Sequence, residues 1–106
     1  MAYDHSRKAG NLGDLWKHAV LVSIAEHLPV GPRCRYVETH SGAPIHTLGS
    51  NGEWCRGIGA VIEQIDEDSH PYLLQAKRYV ARRHYPAGWL LFANAMAQRV
   101  ESLAKY

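Results

Sequence analysis

The stretch Arg35-Tyr36-Val37-Glu38-Thr39-His40-Ser41-Gly42-Ala43-Pro44 decides how this chain is read. β-favouring residues, from Cys34 onward, run into a carboxylate and then into a turn of small residues. That is the pattern of a buried strand, Cys34 to Glu38, ending at a loop. In open α/β sheets ligands sit beyond the carboxyl end of a strand, where a glycine lets the backbone approach them. On that reading Glu38 stands at the strand's end, and Gly42 with Ala43 forms the floor of a binding loop. The alternative is a strand followed by an ordinary polar turn, because one loop glycine is a weak fingerprint.

Upstream of this stretch, Asn11 offers an N-cap with Asp14 three residues on. Leu12, Leu15, Trp16, Ala19, Val20, Ile24 and Leu28 then follow the spacing of an amphipathic helix, stopped by Pro29 and Gly31-Pro32. Asp14, Lys17, His18 and Leu21 share a second face, since residues three or four apart stack on a helix. Lys17 and His18 are therefore candidates for a site facing the loop, against the alternative of a solvated lysine.

Downstream, residues 39–52 read as a loop rich in Gly, Ser, Asn and His. Ser50-Asn51-Gly52-Glu53 is a capping box and predicts a second helix with the apolar stripe Trp54, Ile58, Val61, Ile62 and Ile65. Gly57 and Gly59 inside it each cost about 1 kcal/mol relative to alanine, which implies close packing against another backbone. Asp66 through Pro71 breaks the pattern, with Ser69 or His70 as a cap and Pro71 at the first position of a third helix over 72–84. Tyr72, Ala76, Tyr79 and Val80 line one side of it, and Lys77, Arg78, Arg82, Arg83 and His84 crowd its end. After the turn at Tyr85-Pro86-Ala87-Gly88, a fourth helix over 89–104 carries Trp89, Ala93, Met96, Ala97, Val100 and Leu103. The expected inventory is four helices and one strand. One strand cannot make a sheet, and a βαβ unit takes about 30 residues, so the pattern fits a small helical domain or the front of a larger α/β domain.

Composition sets the outer bounds. The 106 residues are one domain or a piece of one; a net charge of +2 does not by itself announce a nucleic-acid protein. Cys34 and Cys55 make no disulfide framework and read as buried thiols in a reducing cytoplasm. No signal peptide and no run of about 18 apolar residues occurs, so a cytoplasmic protein without a membrane span is expected. No zinc-ligand spacing connects the cysteines with His40 and His46, and no metal is expected. Trp16, Trp54 and Trp89 read as buried core anchors. His27 and His70 fall near helix ends.

Three pieces coincide in order and spacing: Tyr3-Asp4-His5-Ser6; Ala9-Gly10-Asn11 leading to Asp14-Leu15-Trp16-Lys17-His18; and Glu38-Thr39-His40-Ser41-Gly42-Ala43-Pro44. Together they resemble the RlmJ-like family of large-subunit ribosomal RNA adenine-N6 methyltransferases, whose pattern is approximately Y-x-H-S, A-G-N-x-x-D-x-x-K-H and D-T-H-A-G-A-G. Leu48-Gly49-Ser50, Gly57-Ile58 and Tyr85-Pro86 with Leu90-Leu91 fit the family's next segment.

The resemblance implies the N-terminal part of a Rossmann-like α/β methyltransferase using S-adenosylmethionine. Residues 1–48 would hold the arm, first helix, first strand and cofactor loop, and residues 49–106 a helical insertion. It implies cofactor contacts from Lys17, His18, Glu38, His40, Ser41, Gly42 and Ala43, and an arm carrying Tyr3 and His5 beside the target adenine. Ribosomal RNA is the implied partner.

Two residues depart from the family pattern: Glu38 replaces an aspartate, and Pro44 replaces a glycine, removing a backbone donor and fixing φ near about −65°. The Asp/Asn-Pro-Pro-Tyr/Phe loop that holds the target amine in such families is not in these 106 residues. The expectation is thus a cofactor-binding half, inactive alone.

The alternative is a non-catalytic helical module that binds RNA or protein. Lys77, Arg78, Arg82 and Arg83 would supply cations for phosphate, with Tyr79 and Tyr85 for stacking. Cations at a helix C-terminus are also favoured by the helix dipole alone. Self-association is expected to cover apolar faces left exposed by a partial sheet.

Overall fold

The computed structural model describes residues 7–28, 37 and 42–104. Helix α1 spans Leu12–His27 and starts as the capping pattern requires. The Asn11 side-chain oxygen accepts the Asp14 N–H at 2.9 Å, and Asp14 Oδ2 in return accepts the Gly10 N–H at 2.9 Å. The Asp14 N–H, a donor that the helix start leaves over, and the Gly10 N–H just before the cap are both satisfied by this exchange.

That exchange also fixes which side of α1 faces inward. Asp14, Val22 and Ala25 are buried, and Leu15, Ala19 and Leu21 pack against the core. Four members of the predicted apolar stripe lie on the outside instead: Leu12 is 71% exposed, Trp16 74%, Val20 43% and Ile24 48%. Trp16 is not a core anchor. Helix α1 has apolar residues on both sides, and the side carrying the Asp14 carboxylate was captured by the Gly10 amide.

Strands β1, Ile45–Thr47, and β2, His84–Pro86, form a two-stranded antiparallel sheet with Ile45 opposite Pro86, His46 opposite Tyr85 and Thr47 opposite His84. The Leu48 N–H donates to the Arg83 carbonyl and the Ala87 N–H to the Pro44 carbonyl, both at 2.8 Å, extending the ladder at each end. Neither strand was expected: residues 39–52 were read as loop, and 84–86 as the end of a helix and a turn. The predicted strand Cys34–Glu38 lies outside the described residues, save Val37, whose side chain is exposed.

The predicted second helix is broken into a 3₁₀ turn at Glu53–Arg56, a single turn α2 at Ile58–Val61 and another 3₁₀ turn at Ile62–Gln64. Its cap is Gly52, without a side-chain hydrogen bond, not the Ser50–Glu53 box. The break sits at Gly57, whose missing side chain is the reason this segment can touch the start of α1. A Cβ there would collide with the Gly10 carbonyl oxygen and stand 2.7 Å from the Asn11 carbonyl carbon. The Ile58 N–H donates to that Gly10 carbonyl at 2.9 Å. The close backbone approach predicted for this glycine is present. Gly59 similarly abuts the Trp54 ring.

Helix α3, Pro71–Val80, begins with His70 as N-cap and Pro71 at its first turn. His70 Nδ1 accepts the Tyr72 N–H at 3.0 Å, so the ring's Nε2–H is the donor to Ser23 Oγ of α1, 2.7 Å away. The helix stops four residues earlier than predicted, and residues 81–83 form a turn, with Arg83 at φ 58°. Helix α4 spans Gly88–Ala104. Its buried residues are Leu91, Phe92 and Ala95, whereas Ala93, Ala97 and Val100 of the predicted stripe are exposed.

Helix α1 packs against both α3 and α4. Arg99 of α4 donates to the Ala25 carbonyl in the last turn of α1 at 2.6 Å, supplying a cation where the helix carries partial negative charge. The core formed between these helices and the sheet includes Val22, Ile58, Tyr72, Tyr85 and Leu91. No helix among the described residues is long and apolar enough to cross a membrane.

Candidate functional site

Of the proposed cofactor residues, Lys17, His18, Gly42 and Ala43 are described, whereas Glu38, His40 and Ser41 lie outside the described residues, as do Tyr3 and His5 of the arm. The Lys17 ammonium is 3.4 Å from Asp14 Oδ1, with 66% of its side chain exposed. Gly42 sits at φ 56°, a left-handed conformation that favours glycine, and nothing lies within 4 Å of where a Cβ would be. Ala43 and Pro44 are exposed, and the Pro44 carbonyl is tied to the Ala87 N–H just before α4. Proline's missing donor costs the fold nothing here, because the ladder uses its carbonyl.

His18 occupies the boundary between α1 and the interior. Its Nδ1 is 2.8 Å from the Tyr85 hydroxyl, and its ring stacks on the Tyr85 ring at 5.6 Å, with an interplanar angle of 23°. The Tyr85 hydroxyl in turn lies 2.6 Å from the Tyr72 hydroxyl. A chain of three polar groups therefore links α1 to β2 and α3 inside the core. Burial raises the Tyr85 hydroxyl far above the ordinary tyrosine range, with the neighbouring Tyr72 adding to it; burial also raises Tyr72, against the lowering effect of its bond to Tyr85. Both phenols stay neutral and act as hydrogen-bonding groups, not as acids. Sequence reasoning missed this pair, because Tyr72 falls on an apolar stripe and Tyr85 next to a turn-forming proline.

The basic cluster divides in two. The Lys77 ammonium donates to the Ile65 carbonyl at 2.9 Å, and the Arg83 guanidinium lies 4.9 Å from the centre of the Trp54 ring. These two cations hold the loop before α3 and the turn after it. Arg78 and Arg82, by contrast, are exposed and line an open groove of about 900 Å³ with Ile45, Gln75, Tyr79, His84 and Asn94. Cys55, expected to be buried, is exposed.

Ribosomal RNA large subunit methyltransferase J of Haemophilus influenzae is 38% identical over 115 aligned residues, which cover 97% of this chain and 41% of that protein. The chain is an RlmJ homologue over part of that protein's length. The Escherichia coli strain K12 protein of the same name is 32% identical over 114 residues, covering 97% of this chain and 40% of its own length. The chain thus spans about two fifths of the RlmJ proteins it matches. No protein-family profile and no solved structure matches it.

The Gly10–Gly57 contact joins the stretch carrying the first helix to the segment after the loop. The start of α1 is thus locked to the middle of the chain by backbone, and α1 to β2 and α3 by the His18–Tyr85–Tyr72 chain.

Proposed function

We propose that this chain forms the N-terminal part of an S-adenosylmethionine-dependent methyltransferase of the ribosomal RNA adenine-N6 type, acting in the cytoplasm. Residues 1–48 contribute the arm, first helix and cofactor loop of a Rossmann-like domain, and residues 49–106 a helical insertion. The observation that carries this reading is the RlmJ match across 97% of the chain.

The described residues fit such a cofactor at two places. The left-handed Gly42, open on its Cβ side, gives backbone a ligand can approach closely, and Ala43 adds no bulk. Lys17 presents an exposed ammonium held at its base by Asp14, suited to a carboxylate. S-adenosylmethionine supplies an electrophilic methyl group. Lys17 and the backbone of Gly42 and Ala43 would hold the cofactor, with Glu38, His40 and Ser41 contributing by the resemblance, and His18, bonded to Tyr85, would orient α1. By the resemblance, Tyr3 and His5 would lie beside the target adenine. The groups that position the adenine amine for attack come from a Pro-Pro-containing loop absent from these 106 residues, so the chain alone transfers no methyl group.

Titration calorimetry with S-adenosylmethionine tests the cofactor half. Micromolar binding that Lys17→Ala weakens supports the reading. A folded chain that takes up no cofactor contradicts it, and favours the second reading, a non-catalytic RNA-binding module for which the Arg78–Arg82 groove speaks.

A further inference from the structure

The groove between α3 and α4 is a feature that the cofactor reading leaves unused. It is about 900 Å³ in volume and is built by four elements: Ile45 from β1; Gln75, Arg78, Tyr79 and Arg82 from α3 and its exit; His84 from β2; and Asn94, Ala97, Gln98 and Glu101 from α4. Its chemistry is mixed in a specific way. Arg78 and Arg82 stand against a single carboxylate, Glu101, so the groove is net cationic. Its apolar surface comes from the Tyr79 ring and from Ile45, which is 41% exposed. Three amide side chains, Gln75, Asn94 and Gln98, line the rest.

Two observations indicate that this groove accommodates a ligand. Unlike Lys77 and Arg83, which are bound to Ile65 and Trp54, Arg78 and Arg82 reach the groove as exposed guanidinium groups. Gln75 is only 5% exposed; its amide nitrogen donates to the Leu91 carbonyl at 3.1 Å, and its Oε1 has no hydrogen-bond partner among the described residues. A donor entering the groove would satisfy this orphaned buried carbonyl. Nearby, Asn94 Nδ2 donates to the Tyr79 hydroxyl at 2.9 Å, which holds the ring in place as part of the wall.

We propose that this groove binds a single-stranded RNA segment, with Arg78 and Arg82 on its phosphates and one unstacked base against Tyr79 and Ile45. Guanidinium groups match phosphate oxygens, and an aromatic face beside amides suits the flat, hydrogen-bonding surface of a base. Duplex RNA is the poorer fit, because its bases are stacked away from such a pocket. This inference rests on the RNA reading above but not on cofactor binding.

The test is fluorescence anisotropy of the full chain with a fluorescein-labelled single-stranded RNA of about eight nucleotides, read over a range of salt. The same measurement uses an abasic strand of equal length and a duplex. Combined Arg78→Ala and Arg82→Ala should weaken single-strand binding about tenfold or more. The slope of log affinity against log salt should shrink by about 0.7 per arginine removed. Arg56→Ala, an exposed cation outside the groove, should leave both unchanged, and circular dichroism of the double variant should match the parent. The abasic strand should bind about tenfold more weakly than the RNA.

RNA binding that ignores the two arginines, or equal affinity for RNA and abasic strands, overturns the groove assignment and leaves the RNA reading standing. Absence of any RNA binding overturns both. Neither result bears on calorimetry with S-adenosylmethionine, which reports the cofactor loop separately.

Discussion

His18 Nδ1 lies 2.8 Å from the Tyr85 hydroxyl, joining a helix and a strand that are 67 residues apart in sequence. Tyr85 is 1% exposed and its hydroxyl also meets that of Tyr72, so removing it takes a hydrogen bond from both the His18 ring and the buried Tyr72 hydroxyl. Tyr85→Phe should therefore cost about 1–3 kcal/mol in urea unfolding, although the ring volume is kept. An unchanged midpoint would mean that the polar chain contributes nothing to the fold.

The same pair predicts an alkaline limit. Both phenols have folded-state pKa values raised by burial, so the folded chain keeps protons that the unfolded chain releases above pH about 10. Their contribution is complete below that pH and is lost as the pH rises above it, by up to about 1.4 kcal/mol per pH unit for each phenol. Stability of the Tyr72→Phe, Tyr85→Phe double variant should fall less steeply above pH about 10 than that of the parent. Parallel curves would remove the linkage.

Gly57 is the point where a side chain cannot be added. Gly57→Ala places a methyl group into the Gly10 carbonyl and the Asn11 backbone, none of which can swing aside as a side chain could. A loss of roughly 2–4 kcal/mol is expected by denaturant titration. Gly49→Ala, with nothing within 4 Å, should stay within about 0.5 kcal/mol of the parent.

The outer side of α1 carries Leu12, Trp16, Val20 and Ile24 at four-residue intervals, a stripe about 18 Å long. Apolar stripes of this extent favour burial against another surface, and the chain should self-associate through it. Sedimentation velocity should show a concentration-dependent shift that Trp16→Lys abolishes without lowering the melting temperature. A single monomer boundary at the highest soluble concentration would sink this expectation.

What could be read from the residues was mostly local. The Asn11 cap with Asp14 and the His70–Pro71 start of α3 each depend on neighbours within a few positions, and each is present; the tight packing at Gly57 was legible only as a glycine inside a helical pattern, its partner Gly10 being far away in sequence. The inward side of α1 was not legible from hydrophobic spacing, because Leu12, Trp16, Val20 and Ile24 compete with Leu15, Leu21, Val22 and Ala25. A single carboxylate and one backbone amide settled it. Strands β1 and β2 are three residues each and exist only through pairing with one another across a long sequence separation, for which propensity carries no signal. The basic cluster was visible as composition, but its division into two tethered cations and two groove-lining ones depends on where Ile65 and Trp54 end up.

If these residues form the cofactor-side part of an RlmJ-type enzyme, they should replace the homologous segment of the Escherichia coli protein. Transfer of labelled methyl from S-adenosylmethionine to large-subunit ribosomal RNA is then measured. The account predicts a folded chimera that methylates the RNA and loses that activity on Lys17→Ala. A chimera that folds but neither binds S-adenosylmethionine nor methylates RNA would contradict it.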